Sequence, residues 1–373
     1  MTDDLQELRR QVRDLADRWR AAGRFQPVCD AWLRGHDIEF SKEMARRGWI
    51  GITWPGEYGG GGRSNLARLV VTEELLRAGA PVAAHWIADR QIGPAILRYG
   101  TAQLRREFLP RIAAAEVTFC LGMSETEAGS DLAAVRTTAT RDGAGWRITG
   151  AKVWTSHAHR SSHAYVLART GGGARRHDGL TEFVVDLAAP GVTVRPIIDL
   201  QGEHHFNEMI FDDVPVPDRW VIGEVGQGWR QVTEQLSFER GGLERVMSTY
   251  PLLEALARSV SDGAEPAAVE AVGELAARLS VLRRIAWEIA ADLDAGAAPV
   301  HRAALLKHLG TTFEREVTET ARWVTGVRPD PTGDGLPALL AQGILAAPGF
   351  SIRGGTTEVL LTLIARGEAD HVR

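Results

Sequence analysis

Apolar residues near the start of the chain recur at the spacing of one helical face. From Leu5 to Arg20 they stand three or four positions apart, with charged residues between them. A period close to 3.6 residues is the pattern of an amphipathic helix. The first helix is therefore predicted to bury one face, which carries Leu5, Leu8, Val12, Leu15 and Trp19.

More helices are predicted through roughly the first third of the chain. Residues 41–48 read as a short helix capped by Ser41, and the glycine-rich stretch that follows predicts an irregular connection. The run NLARLVVTEELLRAGA, from Asn65, is apolar on more than one side, as expected of a helix buried among others. Thr101 is a predicted cap for a later helix, whose buried face carries Leu104, Phe108 and Ile112.

The pattern changes between Thr118 and Ile222, where short apolar runs alternate with turn signals such as Asp142-Gly143 and Pro190-Gly191. Segments such as TEFVVDL and VTVRPII are rich in β-branched residues and predict strands. Helical periodicity returns after Gly228. Segregated runs of this kind predict an α+β chain, with an N-terminal helical domain over 1–117, a middle β domain over 118–224 and a C-terminal helical domain over 225–373.

Composition narrows the class of protein. A chain of 373 residues with 44% hydrophobic content can bury substantial cores. The formal net charge of -5, without a block of like charge, argues against a nucleic-acid-binding surface. Only Cys29 and Cys120 occur, far apart, so neither a disulfide framework nor a cysteine metal site is expected. The charged N-terminus and the lack of a long apolar run predict a cytoplasmic protein without membrane insertion.

Several motifs of common enzymes are missing from the sequence. It has no GxGxxG after a strand, no Walker loop and no GxSxG elbow. Histidines cluster at 157, 159 and 163 and again at 204 and 205, and an H-x-H pair on a strand could bind a metal. No carboxylate nearby completes a ligand set, so hydrogen-bonded loop histidines are the other interpretation, and no metal is predicted.

The stretch FCLGMSETEAGSD, from Phe119 to Asp131, is the strongest candidate for a functional loop. It carries hydroxyl groups at Ser124 and Ser130, two glycines and acids that cannot all be buried without partners. Such a loop can present polar groups to a ligand. Taken alone, the segment is equally consistent with a strand that ends in a polar surface turn.

Five segments occur in one succession that resembles the acyl-CoA dehydrogenase family over nearly the full length. They are WIGITWPGEYGGGG, FCLGMSETEAGSDL, WRITGAKVWTSHAH, HFNEMIFDDVPVPDRWVIGEVGQGW and SIRGGTTEVLLTLIA. The resemblance implies FAD bound between the middle β domain and the C-terminal helices, and an acyl thioester against the flavin. It implies α,β-desaturation of that thioester.

The resemblance also implies roles for individual residues. Leu121, Met123 and Ser124 correspond to residues that meet the flavin ring, and Ser130 to one that faces the coenzyme portion of the thioester. In KVWTSH, the indole of Trp154 matches the family's flavin-packing tryptophan. The hydroxyl of Ser156 matches the one near the reactive nitrogen of the flavin. Without the family context, Trp154 would be read as a core residue of the β domain.

Desaturation needs a base for the α-proton, and here the sequence departs from much of the family. Many members carry that glutamate where this chain has Gly354, which cannot be a base. Other members place it on the first helix after the β domain, before an arginine, and LSFERGGLER offers Glu239 followed by Arg240. Glu239 is therefore the candidate base, with Arg240 beside the substrate. Glu244, on a different helix face, is the weaker choice.

Other departures concern the cofactor and the loop. The family's Arg and Phe-Gly motif and its glycine-rich turn, which hold the far end of FAD, are not recognisable here; Gly355, Thr356 and Glu358 match its terminal segment at the dinucleotide. Thr126 and Glu127 stand where the family usually has Pro-Gly. The resemblance is nearest to actinobacterial steroid side-chain dehydrogenases, some of which are heterotetramers. A heterotetramer with a related subunit and a homo-oligomer both stay open, with an electron-accepting flavoprotein or another acceptor as redox partner.

Two other functions remain compatible with these residues. Flavin monooxygenases of the same fold dispense with the dehydrogenase base, which agrees with Gly354. A catalytically silent subunit that completes the site of a partner would agree with the missing adenine-site motifs. The sequence leaves the acyl group open, as well as whether coenzyme A or a carrier protein bears it.

Overall fold

The computed structural model describes residues 3–239, 241–260 and 264–371. The described helices are α1 Asp3–Ala21, α2 Ala31–Arg34, α3 Ile38–Arg46, α4 Asn65–Arg77, α5 Ala83–Ile87, α6 Gly93–Tyr99, α7 Ala102–Ala113, α8 Gly228–Glu239, α9 Tyr250–Ser259, α10 Pro266–Asp294, α11 Val300–Thr325, α12 Gly335–Phe350 and α13 Thr357–His371. The described strands are β1 Phe119–Gly122, β2 Thr138–Asp142, β3 Gly145–Ser156, β4 His163–Arg169, β5 Leu180–Asp186, β6 Val192–Ile198, β7 His204–Pro217 and β8 Val221–Ile222.

The chain forms two compact units. The helical unit comprises residues 1–36, 63–82 and 237–373, and the sheet unit comprises residues 37–62 and 83–236. The order of helices, sheet and helices confirms the predicted α+β fold class.

In the helical unit, α11 packs against α9, α10, α12 and α13, while α4 packs against α1 and α10. The first helix forms as its spacing predicts, with Leu5, Leu8, Val12 and Leu15 buried and Trp19 partly buried. Acidic residues in its first turn and arginines in its last turn complement the helix dipole. Helix α4 is buried on several sides, as its apolar sequence predicts.

In the sheet unit, eight strands form one sheet in the order β6-β7-β3-β2-β4-β5-β8, and β1 pairs in parallel with β4. Asp142 and Gly145 face each other at the predicted hairpin, whose Gly143 has a φ of 57°. One face of the sheet buries an apolar core. Its largest members include Trp146, Phe183 and Phe211.

Two predicted helix starts in the sheet unit have different outcomes. Thr101 caps α7 by accepting a hydrogen bond from the Leu104 backbone N–H at 3.1 Å, as predicted. The predicted Ser41 cap is wrong. Asp37 caps α3 by accepting from Glu39 N at 2.8 Å, so the helix begins before Ser41 and that side chain lies buried inside it. An aspartate four residues upstream offers an equally good cap, and the sequence pattern did not separate the two.

Candidate flavin and acyl-thioester site

The candidate loop leaves the sheet at the end of β1. This strand pairs with β4 in parallel, with Leu121 opposite Tyr165. At Gly122 an added Cβ atom would lie 2.7 Å from Cε of Met209, so the strand packs closely against its neighbours there. Leu121, Met123 and Ser124 are all partly exposed. The end of the strand and the start of the loop therefore leave these three predicted flavin contacts accessible on the sheet unit.

Glu125 fixes the path of the loop. Its carboxylate accepts hydrogen bonds from the backbone N–H groups of Arg136, at 2.6 Å, and Thr137, at 2.9 Å. Its own backbone exchanges two hydrogen bonds with Ala128, at 2.9 and 3.1 Å. Thr126 and Glu127, which replace the family's Pro-Gly, lie exposed at the tip between these anchors. Hydrogen bonds to the Glu125 side chain thus fix the loop, where a proline ring would have restricted its backbone directly.

A fully buried lysine joins the loop to strand β3, which carries Trp154 and Ser156. The Lys152 ammonium donates to a Glu125 carboxylate oxygen at 2.8 Å and to the Met123 carbonyl at 3.1 Å. Burial lowers the pKa of Lys152 to about 8, against the opposing effect of Glu125. Burial acts to raise the pKa of Glu125, but the charge and hydrogen bond of Lys152 outweigh it and lower that pKa. The pair is therefore ionised at neutral pH, and sequence analysis did not identify it.

Trp154 is an exposed residue on a distorted strand. The pairing of β3 with β7 shifts register between Lys152 and Thr155, and Trp154 has a φ of 60°. Its side chain is 59% exposed and meets Phe206 edge to face, with ring centroids 5.7 Å apart. A positive φ is unfavourable for a bulky residue, and strained residues of this kind cluster at functional sites. The structure excludes the alternative of a core tryptophan.

The loop after β1 and the end of β3, the two segments predicted to contact the flavin, lie side by side and together form the proposed flavin wall. The Val153 N–H donates to the Ser124 carbonyl at 2.9 Å, which ties the loop to β3 one residue before Trp154. Ser156 lies at the end of the same strand, paired with Phe206, and is partly exposed. The structure therefore brings Ser124, Trp154 and Ser156 into one neighbourhood. Ser130 lies further along the loop and is exposed.

The histidines near this wall form a hydrogen-bonded group. His159 and His204 stack with ring centroids 3.8 Å apart. The Asn207 amide oxygen lies 3.2 Å from Nδ1 of His159 and 2.7 Å from Nε2 of His204, so each ring can donate to it. His205 Nδ1 lies 3.2 Å from an Asp199 carboxylate oxygen. In the described parts of the chain, no group of three or more His, Cys, Asp or Glu side chains is arranged to hold a metal ion.

In the helical unit, the terminal Gly-Gly-Thr segment forms a tight connection into α13. Gly354 and Gly355 have φ values of 65° and 95°, which favour glycine. The buried Lys307 ammonium donates to the Gly355 carbonyl at 2.6 Å. Thr356 precedes α13, and its hydroxyl accepts from Val359 N at 3.4 Å. Glu358 lies exposed in the first turn, where its backbone N–H and the Thr356 hydroxyl lower the pKa of its carboxyl.

Glu239 is the last residue of α8, but its side chain and all of Arg240 lie outside the described part of the structure. One turn earlier, the Gln235 amide donates to both carboxylate oxygens of Glu182, at 3.0 Å each. Glu182 belongs to β5 and is fully buried. Burial raises the pKa of Glu182 to about 7, against the lowering effect of hydrogen bonds from Tyr165 and two glutamines. A buried polar contact thus fixes the part of α8 that leads to the candidate base.

Comparison with known proteins agrees with this arrangement. Residues 2–116, 120–214 and 226–369 match the N-terminal, middle and C-terminal domains of acyl-CoA dehydrogenases, respectively. The chain belongs to the acyl-CoA dehydrogenase family, as the order of its motifs predicts.

Among curated proteins, the chain is similar to the acyl-CoA dehydrogenase IpdE1 of Mycobacterium tuberculosis, with 44% identity over 64% of this chain and 63% of the relative. It is also similar to IpdE1 of Mycolicibacterium smegmatis, with 40% identity over 64% of this chain and 65% of the relative. The chain thus spans less than two thirds of the length of these two relatives. The acyl-CoA dehydrogenase FadE26 of M. tuberculosis matches more broadly, with 33% identity over 86% of this chain and 84% of FadE26.

Solved structures extend the comparison. The Tcur3481-Tcur3483 steroid ACAD superposes with a TM-score of 0.87 and 27% identity, covering 99% of this chain and 98% of that chain. The ChsE4-ChsE5 complex from M. tuberculosis superposes with a TM-score of 0.81 and 30% identity, covering 98% and 97%. Within the described residues, no helix of this protein combines the length and apolar character that a membrane crossing requires.

Proposed function

We propose that this protein is an FAD-dependent acyl thioester dehydrogenase that introduces an α,β double bond. The observation that carries the proposal is the flavin wall of Ser124, Trp154 and Ser156, three residues that correspond in sequence to the family's flavin contacts and that the fold brings side by side. FAD, when bound, supplies the acceptor for the β-hydride. The protein supplies the base, the orientation of the thioester and the exclusion of water.

The residues of this wall suit a flavin ring. Trp154 offers a large apolar surface that is 59% exposed, which a planar ring can cover. Ser124 and Ser156 offer hydroxyl donors, and flavin carbonyl and nitrogen atoms are acceptors. The Lys152–Glu125 pair fixes the loop, so these groups are preorganised. Leu121 and Met123 complete the proposed contact on the sheet unit.

Other residues have proposed roles at the two ends of the ligands. Ser130 faces the coenzyme portion of the thioester, which an exposed hydroxyl can reach. Gly355, Thr356 and Glu358 meet the dinucleotide. The turn that they form is fixed by Lys307 and by the start of α13, which supports a role in binding a ligand of definite shape.

Glu239 is the proposed base for the α-proton, and Arg240 lies beside the substrate. The support is their order in the sequence, the end of α8 at Glu239, and the buried contact between Gln235 and Glu182 one turn earlier. Glu244 is a poorer candidate. It is 7% exposed and folds back over Gly242, where an added Cβ atom would lie within 2.3 Å of both its carboxylate oxygens.

The Glu239→Gln variant tests the assignment. The amide keeps the size of the side chain but cannot accept the α-proton, so anaerobic flavin reduction by an acyl-CoA substrate should slow by about a thousand-fold. Stopped-flow absorbance at the flavin band measures it. The control variant Glu244→Gln should reduce its flavin within a few-fold of the wild-type rate. A wild-type rate in Glu239→Gln would refute the role of Glu239.

The same anaerobic experiment tests the proposed activity itself. A dehydrogenase should bleach its flavin on mixing with an acyl-CoA panel, without a nicotinamide donor. A flavin that stays oxidised until a nicotinamide donor is added would indicate a monooxygenase. A chain that never reduces flavin, alone or with a related subunit, would contradict the proposal.

We also propose an electron-accepting flavoprotein as redox partner and a related subunit as structural partner. The similar ChsE4-ChsE5 complex and Tcur3481-Tcur3483 steroid ACAD each combine two different proteins, which supports the second proposal. The missing adenine-site motifs support it from the sequence.

A further inference from the structure

The end of β3, which carries half of the proposed flavin wall, has an unusual backbone. Trp154 and His157 both have positive φ values, 60° and 55°, and they flank the pair Thr155–Ser156. Positive φ is unfavourable for residues with bulky side chains, and it persists where the surrounding structure fixes it. The directions of the Trp154 ring and the Ser156 hydroxyl therefore depend on the contacts that hold this segment.

Asn207, directly opposite on β7, makes such contacts. It pairs with Thr155 in the sheet and is 0% exposed. Its Nδ2 donates to the Thr155 carbonyl at 3.0 Å and to the His205 carbonyl at 3.4 Å. The Thr155 carbonyl belongs to the planar peptide group that leads to Ser156, so the amide fixes the orientation of that peptide. The His205 carbonyl also accepts from the His157 N–H, at 2.6 Å.

Two histidines hold the amide of Asn207 in this orientation. Because carbonyl oxygens only accept, the amide nitrogen faces Thr155 and the amide oxygen faces the rings of His159 and His204. That oxygen accepts from Nδ1 of His159 at 3.2 Å and from Nε2 of His204 at 2.7 Å. Burial and the neighbouring His204 lower the pKa of His159, so its ring is neutral at neutral pH. All four hydrogen-bonding positions of the amide are thus used within the protein.

The neighbour of Asn207 on β7 gives a second link to the flavin wall. Phe206 pairs with Ser156 in the sheet, and its ring meets the Trp154 ring edge to face, with centroids 5.7 Å apart. A change in the path of β7 at Asn207 would therefore also move the ring against which Trp154 packs.

We propose that Asn207 is a positioning residue for the flavin. It fixes the Thr155–Ser156 peptide and the place of Phe206, and it thereby directs the Trp154 ring and the Ser156 hydroxyl towards the cofactor. This inference rests on the proposed function, in which these two side chains meet the flavin ring. Because Asn207 is fully buried, it acts through them and not by contact with the flavin. The stacked histidines, which the proposed reaction does not use, serve to orient the amide.

Asn207→Asp tests this role with the smallest change in shape. The side chain can still accept from both histidines, but it loses the amide donor to the Thr155 carbonyl. The FAD dissociation constant should rise about ten-fold, as expected for one misplaced hydrogen bond. The midpoint potential of the bound flavin should fall, because a displaced Ser156 hydroxyl stabilises the electron-rich reduced flavin less. Fluorescence titration and dye-linked reduction measure the two quantities.

Asn207→Leu removes the amide without placing a charge in the interior. It should weaken FAD binding at least as much as Asn207→Asp does, and it should lower the midpoint potential as well. Wild-type FAD binding in either folded variant would overturn the role of Asn207.

A double-mutant cycle separates positioning from a general loss of structure. In a Trp154→Ala and Ser156→Ala background, the side chains through which Asn207 acts are absent. Asn207→Asp should there weaken FAD binding by less than about two-fold, because mutations that act through a shared contact are not additive. The same factor in both backgrounds would indicate a general effect on the fold and would contradict the proposal.

The matched control is another buried amide of the sheet unit. Gln231 is 1% exposed, and its Nε2 donates to the Ile222 carbonyl of β8 at 2.9 Å. Strand β8 lies at the opposite end of the strand order from β6 and β7. Gln231→Leu should therefore lower stability and leave the FAD dissociation constant within about two-fold of the wild-type value.

Failure of this inference is distinct from failure of the proposed function. A bound flavin that no acyl-CoA reduces would count against the dehydrogenase, while the ratios of FAD dissociation constants would still report on Asn207. Hydrogen exchange of the flavin-free chain gives a second readout. Backbone amides over residues 153–157 should exchange faster in Asn207→Asp than in the wild type, and equal rates would overturn the role of Asn207.

Discussion

A buried lysine holds the two segments of the proposed flavin wall together. Lys152 is 0% exposed and donates both to Glu125 and to the Met123 carbonyl. Glu125 in turn accepts from the backbone at Arg136 and Thr137. Because the loop carries Ser124 next to this pair, the position of that hydroxyl depends on the ion pair.

Replacement of Lys152 by an uncharged residue should lower the free energy of unfolding. In Lys152→Met, the Glu125 carboxylate loses its charged partner but stays largely buried, so the free energy of unfolding should fall by about 3 kcal/mol. Chemical denaturation measures it. The double variant Lys152→Met with Glu125→Gln removes the uncompensated charge and should recover more than half of the loss. Equal stabilities of the single and double variants would contradict this explanation.

The backbone strain at Trp154 should lower the stability of the fold, while its indole ring should strengthen the binding of FAD. Its φ of 60° is strained for any residue with a side chain, and its exposed ring gains little from the fold. Trp154→Gly relieves the strain and should be about 1 kcal/mol more stable to unfolding than Trp154→Ala. Both variants should bind FAD more weakly than the wild type, since both lack the ring. A wild-type FAD dissociation constant in either variant would remove Trp154 from the proposed wall.

Elements with local signals were predictable from the sequence. The spacing of Leu5, Leu8 and Val12 predicts α1, and Asp142-Gly143 predicts the β2–β3 hairpin, because each depends on neighbouring residues alone. The cap of α3 was mispredicted because Asp37 and Ser41 carry equivalent signals. The Lys152–Glu125 pair spans 27 residues, and no local pattern reports such a contact.

The Gln235 amide of helix α8 donates to the Glu182 carboxyl of strand β5, and the protonation of Glu182 depends on pH. Burial raises the pKa of Glu182 from 4.5 to about 7. The folded state thus binds this proton more tightly than the unfolded state does. Its stabilising contribution is fully present below pH 4.5 and is lost as the pH rises through about 7.

The Glu182→Gln variant should remove this pH dependence. Glutamine imitates the protonated acid, so the variant should match the wild type near pH 4.5 and exceed its free energy of unfolding by about 3 kcal/mol at pH 8. Denaturation series at several pH values measure the difference. Glu314→Gln, in the helical unit, is the comparison, because burial likewise raises the pKa of Glu314 to about 7. A constant difference between wild type and Glu182→Gln across this range would contradict the raised pKa.

At the scale of the whole molecule, the family could be recognised from the order of its motifs, and the three family domains over 2–116, 120–214 and 226–369 confirm it. The positions that match family motifs were also identifiable from the sequence. The supports of those positions were not, because Lys152, Lys307 and Glu182 act through contacts between distant segments. These side chains form common types of hydrogen bond and ion pair, and the fold determines which partners they have.

The proposed binding of FAD is also a property of the whole molecule. The residues proposed to contact the flavin ring are present in this chain, whereas the family's Arg and Phe-Gly motif and its glycine-rich turn for the far end of FAD are not recognisable. The isolated chain should therefore bind FAD and FMN with similar dissociation constants, because the adenine half of FAD finds few contacts. Together with a related subunit, FAD should bind at least about ten-fold more tightly than FMN, since one further charge-assisted hydrogen bond is sufficient for that difference. Flavin fluorescence titrations of the chain alone and of the complex measure both ratios. Strong discrimination between FAD and FMN by the chain alone would show that it holds the adenine end itself.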